Sequence, residues 1–506
     1  MSLEDFLNEP WKNSHRAYED AFFNVRPAPE YANSEVLLAS LYRASGFGSH
    51  GESDVPAAGK AFEKAIQARS RSIKSQGHVS LDTWLTVVHG VLESPKLPNQ
   101  SSKRFLQLCP IVPEVALYSG SARTSGKSWN PGQLIERMVW LGAPDGASAE
   151  LLWRRLHEAL TIASNDDIWA RWLHSEFQRR ATSSEKWTYI PLANEVGLPP
   201  EDKLRFEFPA KQFVRDLDAI VSAKDRMTRR QWISLLEAIL RLGAVTHVLW
   251  LCHVNSQLWS LAHDVLAGAE VPSISEIGTR LFKRDTSFVV YGNPSIPIIR
   301  DFSSRYLVAR IGINLLLWRL DGLGEKLGAV ASLADVENFL SLLAAKSGEL
   351  KSPSAIDQIN VLHDQHPRAL ACKKGIGSNL VEFGRHALGQ RQTANEILRG
   401  YDQGYVLRKG GQYSSAPWVV SLGPVAVLAL VHCCLNEVSG PRSVRRLSMH
   451  LARYGLSINE NDIAQSDLGQ KLRMLGLVLD SPDAESGMLL ISPFGRGAAA
   501  AELVKS

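Results

Sequence analysis

The residues best equipped for chemistry lie in a few short stretches, and the spacing within each decides what it is able to do. Gly120 to Ser128 (GSARTSGKS) follows the apolar run Val115 to Tyr118 and has the composition of a phosphate-cradling loop. Such a loop needs four residues between its glycines and a helix opening at its Lys-Ser, so that backbone amides hold the phosphate. Here five residues separate Gly120 from Gly126, and Trp129-Asn130-Pro131-Gly132 interrupts the helix start, which reads as a basic loop and not as an NTPase. His363-Asp364-Gln365-His366 sets two imidazoles three residues apart with Cys372 nearby, but Pro367 follows at once. No second ligand pair stands at zinc-site spacing. Glu201-Asp202-Lys203 and Glu349-Leu350-Lys351, with Pro144-Asp145 as an upstream acid, have the residue types of a nuclease, yet they sit beside prolines or in a linker-like stretch. No Gly-x-Ser-x-Gly elbow is present, nor a Cys-His pair with local support. The expectation is a chain without a catalytic site, a metal or a cofactor, the alternative being a nuclease whose catalytic residues are dispersed.

Charge points elsewhere. The formal net charge over 506 residues is +4. Between Arg368 and Arg453, however, there are twelve Lys or Arg against four Asp or Glu. A basic stretch of this kind is the electrostatic footprint of a polyanion partner, or else a set of solvated helix faces. Within it Lys373-Lys374-Gly375-Ile376-Gly377-Ser378 precedes a helical stretch, Asn379 to Leu388. Glycines admit close backbone approach, Ser378 suits an N-cap, and a helix start beside Lys373 and Lys374 attracts phosphate.

The stretch ends in a module. Pro424 to Glu437 reads as a buried helix with Pro at its first position. Arg442 to Tyr454 sets Val444, Leu447, Leu451 and Tyr454 on one face and leaves Arg442, Arg445, Arg446 and Arg453 largely on others, with Gly455 as a left-handed cap. Asn461 to Leu475 turns Ile463, Leu468, Leu472 and Leu475 inward and Gln465, Ser466, Gln470, Lys471 and Arg473 outward. After Gly476, Leu477 to Leu479, a turn at Ser481 to Gly487, and Met488 to Ile491 read as a hairpin.

Helix, basic helix, third helix and hairpin, with Leu-Gly-Leu leading into the hairpin, resemble a winged helix-turn-helix domain over residues 424–494. The resemblance implies a DNA partner. Asn461 to Leu475 would be the recognition helix, its Gln465, Ser466, Gln470, Lys471 and Arg473 meeting base edges and phosphates, with Arg442, Arg445, Arg446 and Arg453 gripping backbone. Lys373 and Lys374 would extend that surface. The wing departs from the DNA-binding pattern, because Pro482-Asp483-Ala484-Glu485-Ser486 is acidic where phosphate contact calls for Lys or Arg. That departure fits winged helices that dock proteins. Two functions therefore follow: a non-enzymatic DNA-binding or scaffold subunit of a DNA-processing, regulatory or prokaryotic defence assembly, and an adaptor whose winged helix docks a protein partner.

The elements that must position this module are helices. Amphipathic patterns run over Gly132–Leu141, Ser148–Ala163, Asp166–Arg180, Lys211–Lys224, Thr228–Trp250, Asn255–Ala267, Ser304–Leu320 and Leu333–Lys346. Earlier helices are expected at Ala57–Ile73 and Ser80–Glu93, and extended segments at Asp285–Pro297 and Gly404–Val420. Tryptophans at helical spacing, ten of the thirteen lying in or beside this middle region, read as core. The fold class is mainly α: an N-terminal helical and loop region (1–103), a multi-helical core domain (104–345), a basic connecting region (346–423) and the winged-helix-like end (424–506). Lys346 to Ala355 reads as the linker. Five cysteines, odd in number, suit reduced thiols in a cytoplasmic protein. The opening MSLEDFLNEP lacks the pattern of a secretory signal, and the apolar stretches Ala238–Cys252 and Val419–Leu435 are too short or too broken to span a bilayer, so no membrane partner is expected.

Overall fold

Helical periodicity carries through Asn255, where the sequence suggests a break, and the outcome is one helix of 38 residues, Arg229–Leu266, around which the chain is organised. The computed structural model describes residues 2–8, 10, 13–25, 34–49, 54–55, 78–94, 108–118, 131–180, 185–193, 197–282, 287–351, 376–391, 402–411, 413, 415–480 and 488–494. The helix expected over Ala57–Ile73, the loop Gly120–Ser128, the segment His363–Cys372, Lys373, Lys374 and the acidic turn 481–487 lie outside these residues. What is described is mainly helical, as expected.

In chain order the positioning elements are α1 (Ser34–Gly46), α2 (Pro131–Gly142), α3 (Gly146–Leu160), α4 (Ile168–Arg180), α5 (Pro209–Ser222), α6 (Arg229–Leu266), β1 (Val289–Val290), α7 (Ile296–Gly322), α8 (Leu333–Ala345) and α9 (Ile376–Leu388). Then follow β2 (Leu407–Lys409), β3 (Trp418–Val420), α10 (Pro424–Leu435), β4 (Arg442–Ser443), α11 (Arg445–Ala452), β5 (Leu456–Ser457), α12 (Glu460–Ile463), α13 (Asp467–Met474), β6 (Val478–Asp480) and β7 (Met488–Leu490).

α6 starts where a capping box fixes it: Gln231 N–H donates to the Thr228 hydroxyl, and Thr228 N–H donates to Gln231 Oε1 at 3.0 Å. It packs against α1, α5, α7, α8, α9 and α10, which explains why its apolar residues go all the way round. Asn255 does not end it, because this side chain is fully paired inside the core. Its amide donates to Phe23 O at 2.7 Å and Leu251 O at 2.8 Å, and its carbonyl oxygen accepts from Tyr18 OH at 2.7 Å. Among the described residues α6 is long and apolar enough to cross a membrane, and its apolar window is wholly buried inside the protein.

Two other readings shift for local reasons. α7 begins at Ile296, earlier than Ser304, because Pro297 sits in its first turn, where the missing amide costs nothing. Extended structure before it is thus confined to β1, which pairs in parallel with β5. The segment expected as a linker after residue 346 continues as a helical turn, Ser347–Leu350, with Leu350 buried.

The main apolar cluster draws on buried residues from Ala17 to Leu490, with Trp153 and Trp232 fully enclosed, and smaller ones gather around Trp84 with Phe177 and around Phe6 with Ile311. Packing therefore crosses residues 103, 345 and 423 without interruption. Cys252 and Cys434 are buried, Cys109 and Cys433 half-buried, and all four are free thiols.

A charge network fastens residues 376–391 and 402–411 to the centre. Arg241, in the middle of α6, is fully buried and donates to Asp402 Oδ1 at 2.7 Å, Asp402 Oδ2 at 3.1 Å, Ala387 O at 2.6 Å and Gly389 O at 2.9 Å. Arg391 donates from its backbone and side chain to Asp402, at 2.9 and 3.3 Å, to Glu237 of α6 at 2.8 Å and to Glu35 of α1. Burial pushes the Asp402 carboxyl up, but the two guanidiniums override it and hold it well below the usual carboxylate range. Two of the basic residues that make 368–453 look like a polyanion surface, Arg391 and Arg385, are engaged in ion pairs, Arg391 in the core and Arg385 with Glu382.

Candidate functional site

The C-terminal stretch builds on α10, an apolar helix that opens at Pro424 and packs on α5 and α6. This helix ends at Leu435, two residues short of the expected Glu437, and the chain passes through Ser439-Gly440-Pro441 into β4 before α11 begins at Arg445. The basic helix expected from Arg442 is thus shorter by one strand. β4 pairs antiparallel with β7, and β7 with β6, giving the strand order β4-β7-β6. Gly455 has φ +72° and closes α11 as expected. Its carbonyl accepts from Phe288 N at 2.7 Å and Val289 N at 3.1 Å, which leads β5 into its pairing with β1.

The segment Asn461–Leu475 is two pieces, α12 and α13, because the Ser466 side chain terminates the first and caps the second. Ser466 Oγ donates to Ile463 O at 2.8 Å and accepts from Gly469 N at 3.4 Å. Gly469 allows α13 to lie against that turn, since a Cβ there would come within 2.2 Å of Ile463 O. Leu468 and Leu472 face inward as the spacing predicts.

A buried junction fixes α11 on α5. Asp216 Oδ2 accepts from His450 Nε2 and from Tyr454 OH, both at 2.8 Å, and Oδ1 accepts from Gln212 Nε2 at 2.7 Å. Cys433 Sγ reaches Asp216 O at 3.6 Å. Burial and the Asp216 carboxylate raise the Tyr454 phenol well above its ordinary range. The sequence offered one signal for this junction, the i, i+4 placement of His450 and Tyr454, but not their partner more than 230 residues earlier.

The residues expected to contact nucleic acid are placed unequally. Arg442, Gln465 and Gln470 are exposed. Arg445 is exposed and 3.6 Å from Glu460, and Arg473 is exposed, paired with Asp480 at 3.2 Å and donating to Ala464 O at 2.9 Å. Arg453 reaches across to Gln212 Oε1 at 3.0 Å, and Arg446 Nε donates to Cys434 O at 2.7 Å, occupying a carbonyl in the last turn of α10.

Two expectations are corrected. Lys471 points inward: its ammonium donates to Leu422 O at 2.6 Å, Ser421 Oγ at 2.9 Å and Asp467 Oδ2 at 2.9 Å. Helical spacing put it on an outer face, but the loop before α10 folds over that face. Ser466, expected on the outer face, is half-buried as the N-cap of α13. Burial pushes the Asp467 carboxyl up, yet hydrogen bonds from Tyr291, Lys471 and Ser421 more than offset this and leave it below its ordinary range.

What the sequence reading missed is apolar. Met449 on α11 is 53% exposed, Met474 at the end of α13 is 84% exposed, and Leu479 on β6 is 50% exposed. Leu475, expected inside, is exposed as well. Three of the residues read as nuclease candidates have structural contacts: Asp145 caps α3 through Ser148 N at 2.7 Å, Asp202 accepts from Leu333 N at 3.1 Å, and Lys203 donates to Trp140 O at 3.0 Å. Compared with protein families, curated proteins and solved structures, the chain matches none of them.

Proposed function

We propose that residues 424–494 are a winged helix built into a helical scaffold, and that its exposed face docks a protein partner. The observation that carries the winged-helix reading is the order helix, strand, helix, helix, hairpin with the strands arranged β4-β7-β6. The choice of protein over nucleic acid follows from the charge of the segment and from its exposed apolar residues. Residues 424–494 hold seven acids against six basic residues. Of those six, Arg446 and Lys471 are drawn onto protein carbonyls and Arg445 and Arg473 stand beside acids. DNA-binding modules concentrate basic charge on one face, whereas protein interfaces favour Met and apolar contacts with little net charge. The exposed Met449, Met474 and Leu479 suit the second.

A DNA-backbone contact is the second reading, favoured by the exposure of Arg442, Arg445, Gln465, Gln470 and Arg473 on or beside the helices. Exposed pairs such as Arg473–Asp480 contribute little and give way readily to a phosphate. One experiment separates the two. Photocrosslinking residues placed at Met474 and Leu479 of the full chain, in extract of its own host, should give a discrete nuclease-resistant protein adduct that is missing from a control at the exposed Tyr413. Duplex DNA should bind weakly. Tight duplex binding that falls steeply with salt, and weakens on Arg442→Ala with Arg445→Ala, would replace the protein reading by the DNA one.

A further inference from the structure

Away from the exposed face of residues 424–494, a cleft of about 600 Å³ opens between the first turns of α6, the start of α10 and residues 402–404. Its volume is in the range of small-molecule sites. Leu235, Val425 and Leu428 give it an apolar lining, and Phe494 stands beside Arg226. Glu35, Glu237, Arg391 and Asp402 of the central charge network line it as well. In all, four carboxylates and three guanidiniums line it.

The carboxylates are not equivalent. Asp402 has both oxygens occupied by Arg241, Arg391 and Gly404 N. Glu237 accepts through Oε1 alone, from Arg391 at 2.8 Å with Arg241 at 3.5 Å. Its side chain is 12% exposed, and Oε2 has no hydrogen-bond partner among the described residues. Oε2 is an acceptor at the cleft, open to a donor that enters it. Burial raises the Glu237 carboxyl above its ordinary range despite the pull of Arg391. Ser234 and Gln231, one and two turns earlier on the same face of α6, supply further polar atoms.

We infer that this cleft binds a small organic cation, an ammonium or guanidinium on a short hydrocarbon stem. Its N–H groups meet Glu237 Oε2, and its stem lies along Val425 and Leu428. A ligand of this class brings a donor to Glu237 Oε2, and its hydrocarbon part covers the apolar lining. Of the three lining guanidiniums Arg391 and Arg226 are hydrogen-bonded and Arg230 is engaged as well, which leaves Glu237 Oε2 as the oxygen a cation meets. The site is independent of the docking face, and its test is separate.

Isothermal titration of the full chain with agmatine and with n-butylammonium should show saturable binding, whereas succinate and inorganic phosphate should not bind. Glu237→Gln keeps an acceptor for Arg391 but removes the charge, and should weaken cation binding by at least about tenfold. Ser234→Phe, which fills the cleft and leaves every charge in place, should do the same. Circular dichroism checks that each variant is folded, and one folded variant is enough to decide. The inference is overturned by an absence of cation binding at millimolar concentration, by preferential binding of the anions, or by unchanged affinity in the folded variants.

Discussion

Arg241→Met is the substitution from which the central charge network gives the sharpest expectation. The guanidinium is completely buried and makes four hydrogen bonds, two to Asp402 and one each to the Ala387 and Gly389 carbonyls. Methionine matches the stem but donates nothing. Asp402 retains Arg391 and Gly404 N, while the two carbonyls lose a donor in a buried setting. Removing one side of a buried ion pair costs about 3–5 kcal/mol. Unfolding entropy near 60 °C is about 2.1 cal/mol/K per residue. Over 506 residues that is roughly 1 kcal/mol per degree, so a cooperative melt should fall by about 3–5 °C. If residues 376–391 and 402–411 open as a local unit, the same free energy speeds their amide exchange by about two to four orders of magnitude while the rest of α6 changes less. Hydrogen exchange with thermal melts distinguishes the two. Asp402→Leu alone should cost a similar amount, and the double variant should cost less than the sum by about 2 kcal/mol or more, since an apolar pair replaces a broken ionic one. Because the Asp402 carboxyl is held below its ordinary range, its stabilisation is present above pH 4 and is lost only as the pH falls further. Single variants within about 1 kcal/mol of the parent, or strictly additive costs, would refute the reasoning.

Two further predictions rest on other parts of the fold. His247 is fully buried, stacks on Trp250 at 5.6 Å and has no hydrogen-bond partner on either ring nitrogen, and burial, aided by Arg137, pushes its imidazole down to about 3. The folded state therefore loses stability as pH drops below about 6.5, by roughly 2 kcal/mol at pH 5; His247→Leu should flatten that dependence in urea melts at pH 7 and pH 5, and an unchanged slope would remove His247 as the cause. Gly455→Ala should cost about 2–4 kcal/mol, because the residue sits at φ +72° and a Cβ would come within 2.0 Å of Phe288; exchange of the Phe288 and Val289 amides should rise with it, and protection equal to the parent would show that the β1–β5 junction does not depend on this turn.

The amino-acid order by itself determined the mainly helical class, most helix positions between residues 131 and 345, and the helix and hairpin sequence after Pro424. Those follow from local rules: apolar residues at helical spacing, a capping Thr228, prolines in first turns and glycines at φ above zero. Side-chain assignments within that end were less legible. Spacing along one helix says which residues share a face but not what comes to cover it, so Lys471, placed outward by periodicity, is turned in by Ser421 and Leu422. Met474 and Leu475 finish outside because no described element packs over the end of α13. Only the tertiary structure decided that Asn255 lies inside one long helix, where Tyr18, Phe23 and Leu251 satisfy it. The same holds for Asp216, which joins His450 and Tyr454, and for the charges of Glu35, Glu237, Arg241, Arg391 and Asp402, which converge from separate segments. A polar residue is tolerated in a core only when partners reach it, and partners more than 100 residues away in the chain leave no local pattern for sequence reading to find.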